Sequence, residues 1–317
     1  MKAWGIESRQ EGTVPKIFEV DKPLVGSGSV LVEVKGSSLN PADIKVMSGK
    51  DGAGFLHDSK FPILLGYDFA GMVAQTGAGV TGFAPGQEVY GFLPYAGSTR
   101  QGAFSQYVVA KAGEIALKPK SHSFAQAASL STAACTALQG LRDHGKLKAG
   151  QKVFINGASG GVGSMAIQMA KIMGAEVWAS ASSKNLDYLK SLGADQALDY
   201  EATPVERISG TFDLVFDVAS NAGFSRCAPK LAPGGVYVAL LPSPLLIRGW
   251  LRSLFSSKSC RFVIAKSDPA NLGFIAQWAE EGKLKPCLDA TFSFGEIPQA
   301  LGALKQKSPR GKIAVSF

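Results

Sequence analysis

The residues Asn156-Gly157-Ala158-Ser159-Gly160-Gly161-Val162-Gly163 follow a short apolar run, Lys152–Asn156, and lead into a second, Gly163–Met173, that stops at Gly174. That order reads as strand, glycine turn and helix. Such a turn can grip a pyrophosphate: a glycine lets backbone approach the phosphates, and the helix start offers unpaired N–H donors and a partial positive charge. The three special positions fall on Ala158, Gly160 and Gly163, with alanine in place of the first glycine. Ser159, Gly160, Gly161, Val162 and Gly163 are therefore the expected phosphate contacts. A glycine turn with a purely structural purpose is the alternative.

Roughly 20 residues further on, at the end of the next predicted strand, an Asp or Glu would hold ribose hydroxyls and repel a 2′-phosphate. This chain has Ser180-Ala181-Ser182-Ser183-Lys184 there, with no carboxylate before Asp187. Hydroxyls and an ammonium suit a phosphate, so the reading is NADPH rather than NADH. A solvated loop is the alternative. Metal chemistry has little to stand on. The four cysteines, Cys135, Cys227, Cys260 and Cys287, form no CxxC pair. The histidines His57, His122 and His144 lack the spacing of a helical metal site. They read as surface or half-buried side chains, and the wide-set cysteines suit a reducing compartment.

The elements that must carry these residues fall into two styles. The first third reads as β: Val30–Lys35, Gln87–Phe92 and Ala103–Ala110 are strands separated by Gly and Pro turns. From Ser123 strand and helix alternate. Ser123 with Gln126 makes a capping box, and Ser131–His144 is a helix ending at Gly145. Strands follow at Lys152–Asn156, Glu176–Ser180, Asp213–Val218 and Val236–Leu241, the last preceded by Pro233 and Gly234-Gly235. The intervening helices are Gly163–Met173 and Asn185–Leu192. This βαβ rhythm predicts a parallel doubly wound sheet. A helix at Asn271–Glu281 and a strand at Lys312–Ser316 close the chain.

With 317 residues, 46% hydrophobic and 18% charged, the chain has room for two domains with separate cores. A net charge of +8 favours anionic partners, but the cations are spread along the sequence, which does not select nucleic acid. No apolar run reaches a membrane span and no signal or transit peptide is visible, so a cytoplasmic or stromal location is expected. Ile247-Arg248-Gly249-Trp250-Leu251-Arg252-Ser253-Leu254-Phe255 mixes cations with large apolar residues, as an interfacial helix does. It reads equally as a substrate-site wall or subunit contact. Gly249 and the Pro242/Pro244 pair weaken a long helix there and favour that second reading.

The glycine turn, Asn40-Pro41-Ala42-Asp43-Ile44-Lys45, Gly66-Tyr67-Asp68-Phe69-Ala70-Gly71 and Gly102-Ala103-Phe104-Ser105-Gln106-Tyr107 together resemble the medium-chain dehydrogenase/reductase superfamily. Within it the chain is similar to the zinc-free quinone oxidoreductases, above all plant enone and alkenal reductases and chloroplast envelope quinone oxidoreductase homologues. Lys184–Asp195 matches that subgroup as well. The resemblance implies an α/β protein with a GroES-like β domain, residues 1–122 and 267–317, and a Rossmann NADPH-binding domain, residues 123–266, with the active site in the cleft between them. It places Asn40 and Tyr67 where zinc-dependent relatives carry Cys and His ligands, which leaves too few ligands for a catalytic zinc. By position it implies cofactor contacts at Lys45, Val162, Gly163, Ser180, Ser182, Ser183, Lys184, Tyr200, Leu240, Gly311 and Lys312, and a weaker one at Thr136. For a plant or algal chain it implies the chloroplast stroma or envelope surface.

The implied activity is hydride transfer from NADPH to a small apolar electrophile, an enone, alkenal or quinone. Attack on a conjugated carbonyl puts charge on its oxygen, and without zinc an ammonium or hydroxyl must receive it. Lys45 is the first candidate, with Tyr67, Asn40 and Asp43 behind it. Lys45 read without the resemblance is an exposed loop cation. Tyr200 reads as an adenine-stacking ring or a core edge. A protein that binds NADPH without catalysis is the competing class. A second copy of the chain and a membrane surface are the remaining candidate partners.

Overall fold

The computed structural model describes residues 1–10, 12–50, 53–240, 244–306 and 310–317, with the side chains at 53, 244 and 245 left aside. The chain forms two compact units. One comprises Met1–Cys135, Lys266–Gly282 and Leu288–Phe317; the other comprises Thr136–Ala265 and Lys283–Cys287.

The first unit opens with β1 (Lys2–Ile6), β2 (Lys16–Glu19), β3 (Ser29–Ser38), α1 (Pro41–Ser48), α2 (Ala53–Leu56), β4 (Ile63–Leu64), β5 (Asp68–Thr76), β6 (Glu88–Phe92), β7 (Tyr107–Lys111) and β8 (Ile115–Leu117). The sequence reading took Ala103–Ala110 as one strand, but regular pairing begins only at Tyr107. Before it, the backbone is tied to other partners: Ala103 N–H donates to Gly66 O and Phe104 N–H to Leu65 O, both at 2.9 Å. The segment at Asn40–Lys45 is helical. Asn40 precedes it, Pro41 takes the first position where a missing N–H does no harm, and Gly49 ends it with φ 68°.

Helix α3 (Phe124–Leu138) starts earlier than Ser131 because the predicted capping box forms. Ser123 N–H donates to Gln126 Oε1 at 2.9 Å and Gln126 N–H to Ser123 Oγ at 3.2 Å. From Gln139 to His144 the turns widen to a π-helix. The boundary between the units thus falls inside a helix, between 135 and 136, and not at residue 123. The first turns of α3 belong with the β unit because β3 touches them: a Cβ at Gly36 would meet the Phe124 backbone at 2.5 Å.

The second unit runs β9 (Lys152–Asn156), α4 (Gly161–Ile172), β10 (Glu176–Ala181), α5 (Leu186–Ser191), β11 (Gln196–Asp199), β12 (Phe212–Asp217), α6 (Phe224–Cys227), β13 (Leu231–Ala239), α7 (Pro244–Ser253) and β14 (Ser259–Phe262). Its sheet has the order β11-β10-β9-β12-β13-β14, and every pairing is parallel. The order reverses between β9 and β12, the place where doubly wound folds bind ligands. β13 begins before Pro233 and pairs with a register shift between Phe212 and Leu214. Its predicted end, Leu241, and Pro242 lie outside the described residues. Phe154, Phe212 and Trp178 pack together at ring centroid distances of 5.5 and 5.6 Å.

The tail adds α8 (Pro269–Glu280), β15 (Leu288–Ser293), α9 (Ile297–Gln306) and β16 (Lys312–Ser316). α8 starts two residues before the predicted Asn271 because the Asp268 side chain accepts from Asn271 N–H at 2.8 Å. β16 joins the first unit's sheet, whose order is β15-β16-β3-β5-β6-β8, with β7 also paired to β3. Among the described residues no helix is long and apolar enough to cross a membrane.

Candidate active site

In the first unit, the end of β3, the start of α1, the start of β5 and the start of β16 meet around Asp68. Its carboxylate is fully buried. It accepts from Ser38 Oγ at 2.5 Å, Asn40 Nδ2 at 2.9 Å, Lys312 Nζ at 3.0 Å, Thr132 N–H at 3.2 Å and the Thr132 hydroxyl. Lys312 is itself buried, 4% exposed. Its other protons go to Leu39 O and Asn40 Oδ1, each at 2.6 Å. An ammonium has three protons, so all of them are engaged inside this unit. Gly311, φ 91°, is buried next to it.

Three of the four catalytic candidates are held in this frame. Asn40 uses both ends of its amide on Asp68 and Lys312. Tyr67 is buried, donates its hydroxyl to Leu56 O at 2.9 Å, and stacks on Tyr95 at 4.3 Å. Burial, reinforced by the Asp43 charge, pushes the Tyr67 hydroxyl far above its ordinary range, which makes it a poor acid. Asp43 is fully buried; one oxygen accepts from Asn40 N–H at 2.7 Å, and among the described residues the other accepts no hydrogen bond within normal distance. Burial raises its carboxyl to about 7; the Asn40 N–H opposes that rise, and the neighbouring Asp68 adds to it. Lys45 differs. It is half-buried on α1, not on a loop, and among the described residues no protein acceptor bonds its ammonium.

In the second unit, Gly160 caps α4 and Gly161, Val162 and Gly163 form its first turn, whose N–H groups find no acceptor within the helix. A Cβ at Gly163 would lie 2.5 Å from Ala158 Cα, so only glycine lets the helix lie this close to the turn. At Gly160 a Cβ would meet only Gly157 O, at 3.9 Å. That opening is what a pyrophosphate needs, and no acidic residue lies in the first turn of α4. The residues present fit a dinucleotide. Ser159, by contrast, is buried at 8% exposure.

The end of β10 carries the proposed cofactor selector. Ser182 is half-buried, Ser183 and Lys184 are exposed, and Asp187 lies beyond them on α5. Tyr200 follows β11, and its N–H donates to Ala181 O at 3.2 Å. Its ring is 49% exposed, so it is no core edge. Ser180 is buried and spends its proton on Asn156 Oδ1 at 3.0 Å. Leu240 follows β13, with its N–H on Ser220 Oγ at 3.2 Å. Thr136 lies on α3, 6% exposed.

Sequence reasoning missed Asp68, Thr132 and Tyr95 in the first unit and Asp217 in the second. Asp217 is fully buried at the end of β12 and accepts from Asn156 Nδ2 at 2.8 Å and Tyr237 OH at 2.7 Å. The one available signal was an acidic residue at the end of an otherwise apolar strand, Phe212–Asp217. His57 also departs from the surface reading: it is 2% exposed, with its ring nitrogens on Asp58 O and Gln101 O. Among the described residues no group of three or more His, Cys, Asp or Glu is placed to hold a metal ion. Cys135, Cys227 and Cys260 are buried and, among the described residues, form no disulfide.

Residues 26–120 match the family model for the alcohol dehydrogenase GroES-like domain, and residues 192–315 that for zinc-binding dehydrogenase. The 2-methylene-furan-3-one reductase of Solanum lycopersicum is 35% identical over 99% of this chain and 79% of its own length. The chloroplastic NADPH-dependent alkenal/one oxidoreductase of Arabidopsis thaliana is 33% identical over the same shares. The solved structure of the quinone oxidoreductase from Coxiella burnetii superposes with a TM-score of 0.91 at 29% identity, covering 100% of this chain and 99% of that one.

Proposed function

The chain belongs to the quinone and enone oxidoreductases of the medium-chain dehydrogenase/reductase superfamily, and on that footing we propose that it reduces enones, alkenals or quinones with NADPH and without zinc. The observation that carries this reading is the open backbone at Gly160, on the helix start beside the sheet's reversal point, followed by a β10 end without a carboxylate. The bound nicotinamide supplies the hydride. Gly160–Gly163 holds the pyrophosphate, and Ser182, Ser183 and Lys184 receive the 2′-phosphate. Tyr200 offers an exposed face to adenine. Ser180 and Lys312 act through neighbours, because their protons are engaged elsewhere.

At the acceptor, Lys45 stabilises charge developing on the carbonyl oxygen, since among the described residues no acceptor bonds its ammonium. Asn40, Asp68 and Lys312 hold the start of α1 and so set where Lys45 stands. Enones and quinones pose the same electronic demand. A panel of alkenals, linear and cyclic enones, and benzo- and naphthoquinones, run with each reduced coenzyme, tests the proposal. Turnover of at least one class with a clear preference for NADPH is expected; equal use of NADH removes the cofactor assignment. Binding of NADPH with no turnover on any acceptor favours a non-catalytic protein. Lys45→Met should lower kcat at least tenfold, about 1.4 kcal/mol of transition-state stabilisation; an unchanged kcat removes Lys45 from that role.

One observation favours a second contact, with an anionic membrane surface. α7 runs through Gly249 without a break because Gly249 is its packing point: a Cβ there would meet Phe224 Cβ at 2.6 Å. Leu246 faces inward with it, while Ile247, Trp250, Leu251, Leu254 and Phe255 are exposed. Residues 218–267 contain seven Lys and Arg and no Asp or Glu. Paired about a twofold axis, such a patch would meet its own like charges. Co-sedimentation with phosphatidylglycerol vesicles but not phosphatidylcholine vesicles, weakened by salt, is the expected result. Retention of a concentration-dependent dimer with no vesicle binding would assign the face to a second copy instead.

A further inference from the structure

Resting on the dinucleotide reading, we propose that Asp217 is a positioning residue for the coenzyme, fixing the direction of a hydrogen-bond relay beneath the phosphate turn. Asp217 ends β12 and Asn156 ends β9, the two strands that flank the sheet's reversal point. Four donors converge on the Asp217 carboxylate: Asn156 Nδ2 at 2.8 Å on one oxygen, and Tyr237 OH at 2.7 Å, Ala222 N–H at 3.0 Å and Gly223 N–H at 3.2 Å on the other. A carboxylate so surrounded only accepts. Asn156 must therefore turn its amino group toward it and its carbonyl away.

That carbonyl accepts the Ser180 hydroxyl at 3.0 Å. The relay thus runs one way, from Ser180 to Asn156 to Asp217, and ties the ends of β10, β9 and β12 together. The turn hangs from the same residues. Ala158 N–H donates to Ser180 O at 2.9 Å, and Asn156 O accepts from Val218 N–H at 3.0 Å. Gly157 fits only because it has no Cβ, which would lie 2.9 Å from Ala219. The direction also has a consequence for specificity: the Ser180 proton is spent within the protein, so reading of a 2′-phosphate falls to Ser182, Ser183 and Lys184.

The relay can be inverted and restored without changing side-chain size. In Asp217→Asn the new carbonyl stays with the three donors on its side, and the new amino group meets that of Asn156. Asn156 must flip, and its amino group then faces Ser180. Asn156→Asp alone sets two carboxylates face to face. The exchange N156D/D217N again puts a donor against an acceptor at each of these links, once the exposed Asn221 amide, whose oxygen accepts from Asn156 Nδ2 at 2.8 Å in the wild type, turns to donate.

The experiment titrates NADPH into wild type, both single variants and the exchange, following fluorescence at a temperature where circular dichroism shows each folded, with melting temperatures recorded alongside. Each single variant is expected to bind at least fivefold more weakly, and the exchange within fivefold of wild type. A smaller loss in Asp217→Asn, or an exchange that binds outside that margin or does not fold, overturns the proposal. A network that merely held the fold together would lower melting temperatures and leave the affinity of folded protein unchanged. If a single variant does not fold, the exchange decides alone. If wild type binds neither NADPH nor NADH, the dinucleotide reading itself fails, and this inference with it.

Discussion

Five donors reach the Asp68 carboxylate, and the Lys312 ammonium that neutralises it has no proton left to offer. Removing one partner of a buried pair strands the other charge, which costs about 3–5 kcal/mol. Lys312→Met should therefore lower the melting temperature markedly before any effect on coenzyme is considered. A stable variant with only a raised KM for NADPH would return Lys312 to direct contact. Asp43 makes the opposite case, a carboxyl that burial holds in the protonated form. Its folded value, about 7, lies above its ordinary value of 3.8. The stabilisation is complete below about pH 4 and is lost as the pH rises through 7, where the buried group must ionise. Asp43→Asn keeps the acceptor for Asn40 N–H and cannot ionise. Its melting temperature should rise relative to wild type between pH 5 and pH 8, and a constant difference across that range would contradict the assignment.

At the scale of elements, the helix that starts at Asn40-Pro41 was not read from the sequence, and α1 is what turns Lys45 from a loop cation into a fixed one. The capping box at Ser123 and Gln126 was legible, because it is a local pairing three residues apart. The turn at Gly160 was legible for the same reason. Its third special position gives a direct test. Gly163→Val would drive side-chain atoms into Ala158 and Gly157 O, both 2.5 Å from the first of them. Overpacking of this kind costs about 1–3 kcal/mol, and α4 must move off the turn to relieve it. Loss of NADPH affinity together with lower stability is expected in titration and thermal melting; full affinity would mean the turn tolerates the shift. The strand at Ala103–Ala110 was misread because its first residues alternate like a strand but bond to Gly66 and Leu65 instead of a regular neighbour.

At the scale of the whole chain, the proposed phosphate turn and the proposed selector belong to the unit built from Thr136–Ala265 and Lys283–Cys287. A coenzyme that binds only the folded form adds about 2.7 kcal/mol at a hundred times its Kd. NADPH should thus raise the melting temperature by several degrees, NADH by less at equal concentration, and calorimetry is the check; equal shifts would deny the 2′-phosphate a role. The sequence by itself determined the fold class, the glycine turn between β9 and α4 and the lack of a carboxylate at the end of β10, because each is carried by neighbours in the chain or by a repeating period. The partners of Asp68, Lys312 and Asp217 were decided only by tertiary structure. Lys312 meets Asp68 across 244 positions and Tyr237 meets Asp217 across 20, and no local pattern encodes a hydrogen bond made when β16 closes onto β3 or β13 aligns with β12. A charged residue's task depends on whether folding leaves its protons free, and that is settled by packing.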